Sequence, residues 1–300
     1  MMNITAIIVV KQKPPHFFEA LRSIEDIVSE IIVGTITIDE QYKKKLLENK
    51  KVRIIELPSD VSFADLVKEE LKKKAKGEYI LYLDPDEIFP TEIKKYIASH
   101  LKDFDYYLFP RKNIIFGKWI SHSRWWPDYQ LRLFKKNSVV WPQVLHPIPE
   151  GRGKGFRFEP EEKNAILHYN YNSIDEYIEK ATRYAKSEAQ ELIQQNKKYS
   201  IEAAIKQALS EFISRFFAHE GYRDGMHGFV LSLLQKIYYF LVYFYYWEQK
   251  KYFEDEQKKL VKYSQNFFRQ GLKEVNFWLV KKNFVDTVEK IRLKIIDKLF

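Results

Sequence analysis

The sequence contains no cysteine among its 300 residues. Disulfides, thiolate metal sites and a cysteine nucleophile are therefore excluded, and the composition suits a reducing cytoplasm. Glycine and proline are also scarce, at 10 and 11 residues, which excludes a fibrous or disordered chain. The apolar start at Asn3–Val10 lacks a basic leader and a small-residue cleavage site, so it predicts a first buried strand and not a signal peptide.

Basic and aromatic residues are abundant. The net charge is +9, and aromatic residues make up 16% of the chain. Such a charge attracts polyanions, whether nucleic acid, anionic lipid headgroups or phosphorylated substrates. The basic residues interleave with acidic ones and no nucleic-acid-binding signature is present, so we expect no nucleic-acid partner. Basic residues combined with Tyr and Trp favour a membrane–water interface, and an ordinary solvated surface is the alternative.

The first half of the chain alternates strand and helix. Short apolar runs at Ile4–Val10, Glu30–Val33, Val52–Leu57 and Tyr79–Leu83 predict strands, with helical stretches between them. This alternation predicts a parallel sheet covered on both faces. The segments Asp105–Pro110, Ile114–Ile120, Tyr129–Phe134 and Val139–Trp141 predict further strands, with aromatic and basic character, and the pattern from residue 171 is helical. We therefore predict an α/β domain over residues 1–170 and a helical region over residues 171–300.

Three carboxylates stand where the fourth predicted strand ends. Asp84, Asp86 and Glu87 follow the run Tyr79–Leu83 directly. A buried strand delivers such a cluster to its carboxyl edge, where open α/β sheets bind ligands. Carboxylates at this spacing can converge on one Mg²⁺ or Mn²⁺ ion and so hold a nucleotide diphosphate. An acidic loop without chemistry is the alternative.

Two further segments carry candidate chemistry. Asp128 precedes a strand-like run that contains Arg132, where an Asp can deprotonate an acceptor hydroxyl and an Arg can brace a departing phosphate. A surface Asp and a cross-strand Arg are the alternative. His146 is either a loop histidine or a metal ligand, and His168 is expected to be mainly structural. The glycine-rich segment Gly151–Gly155 predicts a mobile turn.

The order of these motifs resembles the inverting glycosyltransferases of family 2, and the chain is similar to bacterial lipopolysaccharide core β-glucosyltransferases. The resemblance covers most of residues 3–248. The segments that carry it are Gly77–Glu87, Arg111–Asn113, Gly117–Ile120, Trp126–Phe134, Leu145–His146, Leu167–His168, Tyr177–Ala189 and Gly221–Phe229.

This resemblance implies a GT-A fold, with a Rossmann-like mixed sheet and flanking helices, and a nucleotide-sugar donor with a divalent metal, Mn²⁺ or Mg²⁺. Asp84 would contact the nucleoside side of the donor, and Asp86 would bind the metal. Asp128 would be the general base, while Arg132 and His146 would assist the diphosphate or the metal. One displacement at the anomeric carbon would invert its configuration.

The chain departs from the family pattern in its donor half. Lys11-Gln-Lys13 stands where the family has Asn-Glu, and Thr35 stands where an Asp helps hold the nucleobase. Asp39 and Glu40 are the nearest carboxylates to that place, and Asp39 is the donor-binding candidate. Asp65-Leu-Val-Lys68 replaces an Arg-x-x-Asn element. The acceptor-side candidates are Trp126, Arg111 and Asp224, the last of which could instead cap the helix that follows it.

The apolar segment Phe229–Trp247 is 19 residues long and has Gln235 and Lys236 near its middle. An interfacial or hairpin-buried helix is our first interpretation, followed by a core helix and a membrane span. We expect a cytoplasmic protein that is peripheral to the inner face of the cell membrane and binds its anionic surface. The tail after Lys250 either packs on this helix or mediates self-association.

Together these patterns predict a metal-dependent glycosyltransferase that moves a sugar from a nucleotide-sugar donor to a glycan or lipid-linked glycan acceptor of the cell envelope. The alternative is a catalytically silent relative that binds glycan or lipid-linked sugar as a scaffold, which the donor-side departures motivate.

Overall fold

The protein is described from a computed structural model, which covers residues 3–61, 63–142 and 149–299. The chain divides into two compact units, Met1–Ser121 with Trp125–Asn172 and His122–Arg124 with Ser173–Phe300. The first unit contains a mixed, largely parallel sheet with flanking helices, and the second is helical. The predicted fold class, α/β with a helical C-terminal region, is confirmed.

The strands of the α/β unit run in chain order as β1 (Ile4–Lys11), β2 (Glu30–Ile36), β3 (Val52–Glu56), β4 (Tyr79–Tyr82), β5 (Glu87–Ile88), β6 (Tyr106–Phe109), β7 (Arg111–Ile115), β8 (Lys118–Trp119), β9 (Gln130–Lys135), β10 (Val139–Val140), β11 (Glu150–Gly151), β12 (Gly155–Arg157) and β13 (Ile166–Tyr171). Its helices are α1 (Phe17–Ile24), α2 (Glu40–Leu47), α3 (Asp65–Lys73) and α4 (Glu92–His100), with a 3₁₀ turn at Glu162–Asn164.

The main sheet of the described residues has seven strands in the order β12-β6-β9-β4-β1-β2-β3. The strands β3, β2, β1 and β4 are parallel, so their carboxyl ends lie at one edge, while β9 runs antiparallel to β4. Alternate residues of β1 face opposite sides of the sheet. Ile8 packs with the α1 side chains Phe17 and Leu21 on one side, and Ile7 packs with Leu71 of α3 on the other. Both faces are therefore covered.

A second sheet in the order β5-β13-β7-β8 supports the candidate site. His168 of β13 lies opposite Glu87 of β5 on one side and opposite Asn113 of β7 on the other. Residues directly opposite one another in a sheet point their side chains to the same face. These strands therefore bring three polar residues from distant parts of the chain into one row.

One sequence expectation in this unit was wrong. The single strand expected at 114–120 is a hairpin of β7 and β8, because Phe116 and Gly117 both adopt positive φ, 52° and 77°, and turn the chain. The predicted turn at Gly151–Gly155 lies between β11 and β12. A Cβ added at Gly151 or Gly155 would meet the ring of Tyr106 at 2.5 Å or less, so these glycines are needed for close packing.

The helical unit contains α5 (Ile174–Gln194), α6 (Ile201–Ile213), α7 (Met226–Gln249), α8 (Gln257–Lys281) and α9 (Thr287–Leu299), with a π-helical turn at Ser214–Ala218 and a 3₁₀ turn at Gly221–Asp224. Ser173 and Ser200 begin α5 and α6 by accepting hydrogen bonds from backbone amides three residues on.

The helix α7 packs along α5 and α6. Gln235 donates a hydrogen bond to the Tyr177 hydroxyl at 2.7 Å, and the Tyr238 hydroxyl donates to Glu188 at 2.5 Å. Of the helices that the structure describes, α7 is the one whose length and composition would allow it to cross a membrane, and a third of its most apolar window is buried in the protein.

Candidate active site

The acidic segment leaves β4 at the carboxyl edge of the main sheet. Asp84 and Asp86 lie on the short connection to β5, and Glu87 is the first residue of β5. The Asp84 amide donates to the Glu87 carboxylate at 3.1 Å, which closes the connection into a tight turn. The turn holds three carboxylates beside one another, and each has a different set of partners.

Asp84 is held by two cations. Its Oδ2 accepts a hydrogen bond from Arg132 Nη2 at 2.6 Å, and its Oδ1 accepts one from Lys68 Nζ at 3.3 Å. Burial alone would raise the pKa of the Asp84 carboxyl, but the charges of Arg132 and Lys68 lower it well below its ordinary value. Asp84 is therefore ionised at neutral pH and fixed in orientation.

Glu87 is fully buried between two arginines. Its Oε1 accepts a hydrogen bond from Arg132 Nη2 at 2.6 Å and another from Arg111 Nη1 at 3.3 Å. Burial would lower the pKa of Arg132, whereas Asp84 and Glu87 raise it above its ordinary value. Arg132 thus joins two carboxylates, and Glu87 links Arg132 to Arg111.

Asp128 accepts hydrogen bonds through both carboxylate oxygens. Its Oδ2 accepts hydrogen bonds from Arg111 Nε at 2.8 Å and from Asn113 Nδ2 at 2.9 Å. Its Oδ1 accepts one from Gln130 Nε2 at 3.1 Å. Burial would raise the pKa of Asp128, but Arg111 and the hydrogen bond from Asn113 lower it below its ordinary value. The residue adopts a φ of 36° after the cis peptide Trp126–Pro127.

Asn113 fixes the tautomer of His168. The Asn113 amide nitrogen donates to the Trp125 carbonyl at 2.8 Å and to Asp128, so its Oδ1 is the atom that faces His168 Nδ1 at 2.6 Å. His168 Nδ1 must then carry the hydrogen, which leaves Nε2 with the lone pair when the ring is neutral. Nε2 lies 3.7 Å from Oδ1 of Asp86.

A cavity of about 560 Å³ opens at the same edge of the sheet, beyond the ends of β1 and β2. It is lined by Gln12, Lys13, Thr37, Ile38 and Asp39. The donor-binding candidate Asp39 is the N-cap of α2 and accepts a hydrogen bond from the Tyr42 backbone amide at 2.8 Å. It also forms an ion pair with Lys13 at 2.5 Å. Thr35, by contrast, is buried within β2.

Aromatic side chains lie on the Asp128 side of the site. Trp126 meets Trp119 of β8 edge to face, with ring centroids 5.4 Å apart, and both rings are half-buried. The two acceptor-side candidates of this unit differ in character, because Trp126 offers an aromatic surface whereas the Arg111 guanidinium is bound to Asp128 and Glu87.

Two predicted site residues lie elsewhere. His146 falls outside the described residues. Asp224 belongs to the helical unit, where it is buried and accepts the His122 amide at 2.9 Å and faces His122 Nδ1 at 3.2 Å. Gly225 occupies the N-cap position of α7, and Asp224 directly precedes it.

Three residues that the structure brings into the network received no site role from the sequence: Lys68, Asn113 and His168. Each of them stood in a segment that was already notable, and Asn113 belongs to the Arg111–Asn113 motif. What the sequence lacked was the pairing of β5, β13 and β7, which places Glu87, His168 and Asn113 in one row.

No protein-family model matches the chain. The chain is 26% identical over 257 residues to an uncharacterized glycosyltransferase of Rickettsia felis, covering 78% of this chain and 86% of the relative. A second uncharacterized glycosyltransferase, from Rickettsia bellii, is 24% identical over 251 residues, with 77% and 82% covered.

Among solved structures, S. aureus TarS 1–349 in complex with UDP is 15% identical, with a TM-score of 0.43 and coverage of 91% of this chain and 81% of that one. A likeness at this distance carries no functional argument. Over more than three quarters of its length, the chain is similar to proteins that are named as glycosyltransferases.

Proposed function

We propose that the chain is a metal-dependent, inverting glycosyltransferase that moves a sugar from a nucleotide-sugar donor to a lipid-linked glycan acceptor of the cell envelope. The observation that carries the proposal is one continuous network at the carboxyl edge of the sheet. It runs from Lys68 and Asp84 through Arg132, Glu87 and Arg111 to Asp128, and on through Asn113 to His168 beside Asp86. The curated relatives, which carry the name glycosyltransferase, support the same reaction class.

The donor half of the proposed site is the cavity beyond β1 and β2. Its size of about 560 Å³ lies within the range of small-ligand sites, and the carboxyl edge of an open α/β sheet is where such sites form. The neighbouring strand β4 ends at Asp84. Asp39 at the cavity wall replaces the carboxylate that Thr35 does not supply, and Asp84 faces the nucleoside side of the donor.

Asp86 and His168 fit a divalent metal. A carboxylate oxygen and an imidazole nitrogen are both ligands that Mn²⁺ accepts, and the Nε2 lone pair of neutral His168 is directed at the Asp86 side. No group of three or more potential ligands occurs among the residues described, so the donor diphosphate and water would complete the coordination. The metal, when bound, would neutralise charge on the leaving diphosphate. His146 is the third proposed ligand.

Asp128 is the proposed general base. Its Oδ2 is occupied by Arg111 and Asn113, whereas its Oδ1 has Gln130 as a partner and the side chain is partly exposed. The Oδ1 edge is therefore the edge that an acceptor hydroxyl would approach. Asp128 takes the hydroxyl proton as the acceptor oxygen attacks the anomeric carbon from the face opposite the departing diphosphate, so one displacement inverts the configuration.

The acceptor would bind on the aromatic side. A sugar ring packs favourably on the exposed part of an indole, and Trp126 is the aromatic residue two positions before Asp128. Arg111 contributes by orienting Asp128, and Asp224 is retained as an acceptor-side candidate in the helical unit. We propose that the enzyme acts in the cytoplasm, at the inner face of the cell membrane, where it would reach a lipid-linked acceptor.

The test is a thermal-shift screen of nucleotide sugars with and without Mn²⁺. A ligand at a hundredfold excess over its dissociation constant stabilises the folded state by about 2.7 kcal/mol. We expect one nucleotide class to raise the melting temperature only when Mn²⁺ is present. The shift should vanish in Asp86→Ala and in His168→Gln and persist in Asp103→Ala, an exposed carboxylate in the same unit. A donor shift that is independent of Mn²⁺ would contradict the metal assignment.

The second candidate is a silent scaffold that binds glycan or lipid-linked sugar. The observation that favours it is Thr35, which places a buried hydroxyl in β2 where the family that the sequence resembles has a carboxylate. Turnover separates the two functions. A scaffold would be stabilised by lipid-linked glycan, show no shift with any nucleotide sugar and release no nucleoside diphosphate.

A further inference from the structure

The helix α8 presents a row of exposed apolar side chains. Val261, Phe268 and Leu272 are 72%, 72% and 49% exposed. Their spacing of i, i+7 and i+11 puts them on one face of the helix. Phe267, about 100° round the helix from Phe268, packs inward and meets Phe240 of α7 with ring centroids 6.4 Å apart. The three side chains of the row are thus exposed while a neighbouring side of the same helix packs on α7.

Each residue of this row is followed by a basic one. Lys262, Arg269 and Lys273 lie about 100° further round the helix, so they form a second row beside the first. Lys262 and Arg269 are exposed, and Lys273 is half-buried. An apolar row flanked by long basic side chains is the arrangement of a helix that lies in a membrane interface, because the basic groups reach the headgroups while the apolar groups enter the acyl boundary.

The helix α9 repeats the pattern. Val288, Ile291 and Ile295 are 76%, 57% and 54% exposed and share one face by their i, i+3 and i+7 spacing. Arg292 and Lys294 are exposed at positions beside them. The two helices are joined by a hydrogen bond from Asn276 to Asp297 at 2.9 Å, so they form one hairpin.

The positive charge of the hairpin indicates what kind of surface would cover its exposed apolar rows. The segment 257–300 contains eleven Lys and Arg residues against four Asp and Glu, a net charge of +7, out of +9 for the whole chain. The remaining 256 residues are thus nearly neutral, and the positive charge is concentrated on the hairpin that exposes the apolar rows. Each Lys or Arg close to an anionic bilayer strengthens binding by about fivefold.

We propose that the α8–α9 hairpin docks the protein onto an anionic phospholipid bilayer, with Val261, Phe268 and Leu272 inserted into the interface. The proposal rests on the membrane location given under the proposed function and refines it. Its evidence comes from the helical unit alone. It also assigns the membrane contact to α8 and α9. Two polar side chains of α7, Gln235 and Tyr238, instead form hydrogen bonds with residues of α5.

The test is co-sedimentation of the full chain with vesicles of phosphatidylglycerol and phosphatidylcholine, compared with vesicles of phosphatidylcholine alone. Three triple variants are compared with the wild type. The apolar variant carries Val261→Ser, Phe268→Ser and Leu272→Ser, and the basic variant carries Lys262→Gln, Arg269→Gln and Lys273→Gln.

The charge-matched control variant carries Lys44→Gln, Lys95→Gln and Lys102→Gln, three exposed lysines of the α/β unit. We expect the wild type to prefer the anionic vesicles. The apolar and basic variants should bind at least about tenfold more weakly, and the control within about twofold of the wild type. Circular dichroism melting should be unchanged throughout, because the substituted side chains are largely exposed.

Two results would overturn the proposal. If the control loses as much binding as the basic variant, net charge and not the hairpin is responsible. If the apolar variant binds vesicles like the wild type but changes from dimer to monomer in analytical ultracentrifugation, the face joins two copies of the chain. Vesicle binding is measured without a donor, so its failure leaves the Mn²⁺-dependent donor shift intact and the two proposals fail separately.

Discussion

Replacing Asp128 with Asn tests the proposed general base while keeping the size of the side chain. In the wild type, Asp128 Oδ2 accepts hydrogen bonds from Arg111 Nε at 2.8 Å and from Asn113 at 2.9 Å. The same oxygen lies 2.7 Å from Arg111 Nη2 in an ion pair. The amide that replaces the carboxylate keeps one acceptor oxygen for these donors. It cannot accept a proton, so the chemical step loses its base.

The expected changes in turnover, donor affinity and stability follow from the loss of the base and from the contacts that remain. A lost general base lowers turnover by about 10²–10⁴-fold, which corresponds to about 3–5 kcal/mol of transition-state stabilisation. Donor affinity should stay within about twofold, because the donor-side carboxylate Asp84 is held by Lys68 and Arg132 and has no hydrogen bond to Asp128 in the network described. Stability should fall by about 1–3 kcal/mol, since Arg111 retains Glu87 as a partner at 3.3 Å.

Three measurements separate these effects: release of nucleoside diphosphate for turnover, calorimetric titration for donor affinity, and urea unfolding for stability. The matched control is Asp105→Asn. Asp105 has a similar side-chain exposure, 27% against 23%, and an ion pair with Lys135 at 2.9 Å, and it lies outside the network. We expect the control to keep wild-type turnover per folded molecule.

Equal losses of donor affinity and turnover in Asp128→Asn would refute the assignment and give Asp128 a structural role. Turnover that falls only in proportion to the folded fraction would also refute the assignment, because the loss of activity would then come from unfolding alone. The base is required to act in the transition state, and only a selective loss of kcat has that signature.

Two further predictions concern stability. Arg132→Met leaves Asp84 and Glu87 without their shared cation in a buried site, so we expect a loss of about 3–5 kcal/mol in urea unfolding, whereas Lys163→Met at the surface should leave stability nearly unchanged. Burial would raise the pKa of Glu30, but its backbone and side-chain hydrogen bonds lower it below its ordinary value. The stability that it contributes is therefore fully present above about pH 4.3 and is lost as the pH falls through its folded-state pKa, so the acid side of the unfolding curve should be flatter in Glu30→Gln.

The parallel core of the sheet was predictable because its strands are continuous apolar runs. The segments Ile4–Val10 and Tyr79–Leu83 have a composition that suits burial on both faces, and the structure places them as β1 and β4. The strand containing Phe116 was misjudged, because a Phe-Gly turn with two positive φ values lacks the Asn or Asp that usually marks a two-residue hairpin.

The site was predictable in part for the same reason. Asp84 and Asp86 follow a clear strand, so their place at the carboxyl edge could be foreseen. His168 could not be related to them, because that relation requires the pairing of β13 with β5 and β7 across more than 50 residues of sequence. Local sequence patterns carry no information about such non-local pairing, and the role of Asn113 in fixing the His168 ring depends on it.

Lys68 changes how the donor-side departures should be interpreted. The family that the sequence resembles has an Arg-x-x-Asn element in that region, and here α3 supplies a lysine whose Nζ lies 3.3 Å from Asp84 and 4.7 Å from the ring centroid of Trp141. A cation thus reaches the first carboxylate from this region even though the motif is absent. Together with Arg132 it neutralises Asp84 within the protein, and a carboxylate held by two cations is a poor metal ligand. This arrangement supports a division of roles in which Asp84 orients the donor while Asp86 and His168 serve the metal. A further donor-side departure is Thr35, for which Asp39 at the cavity wall is the proposed replacement.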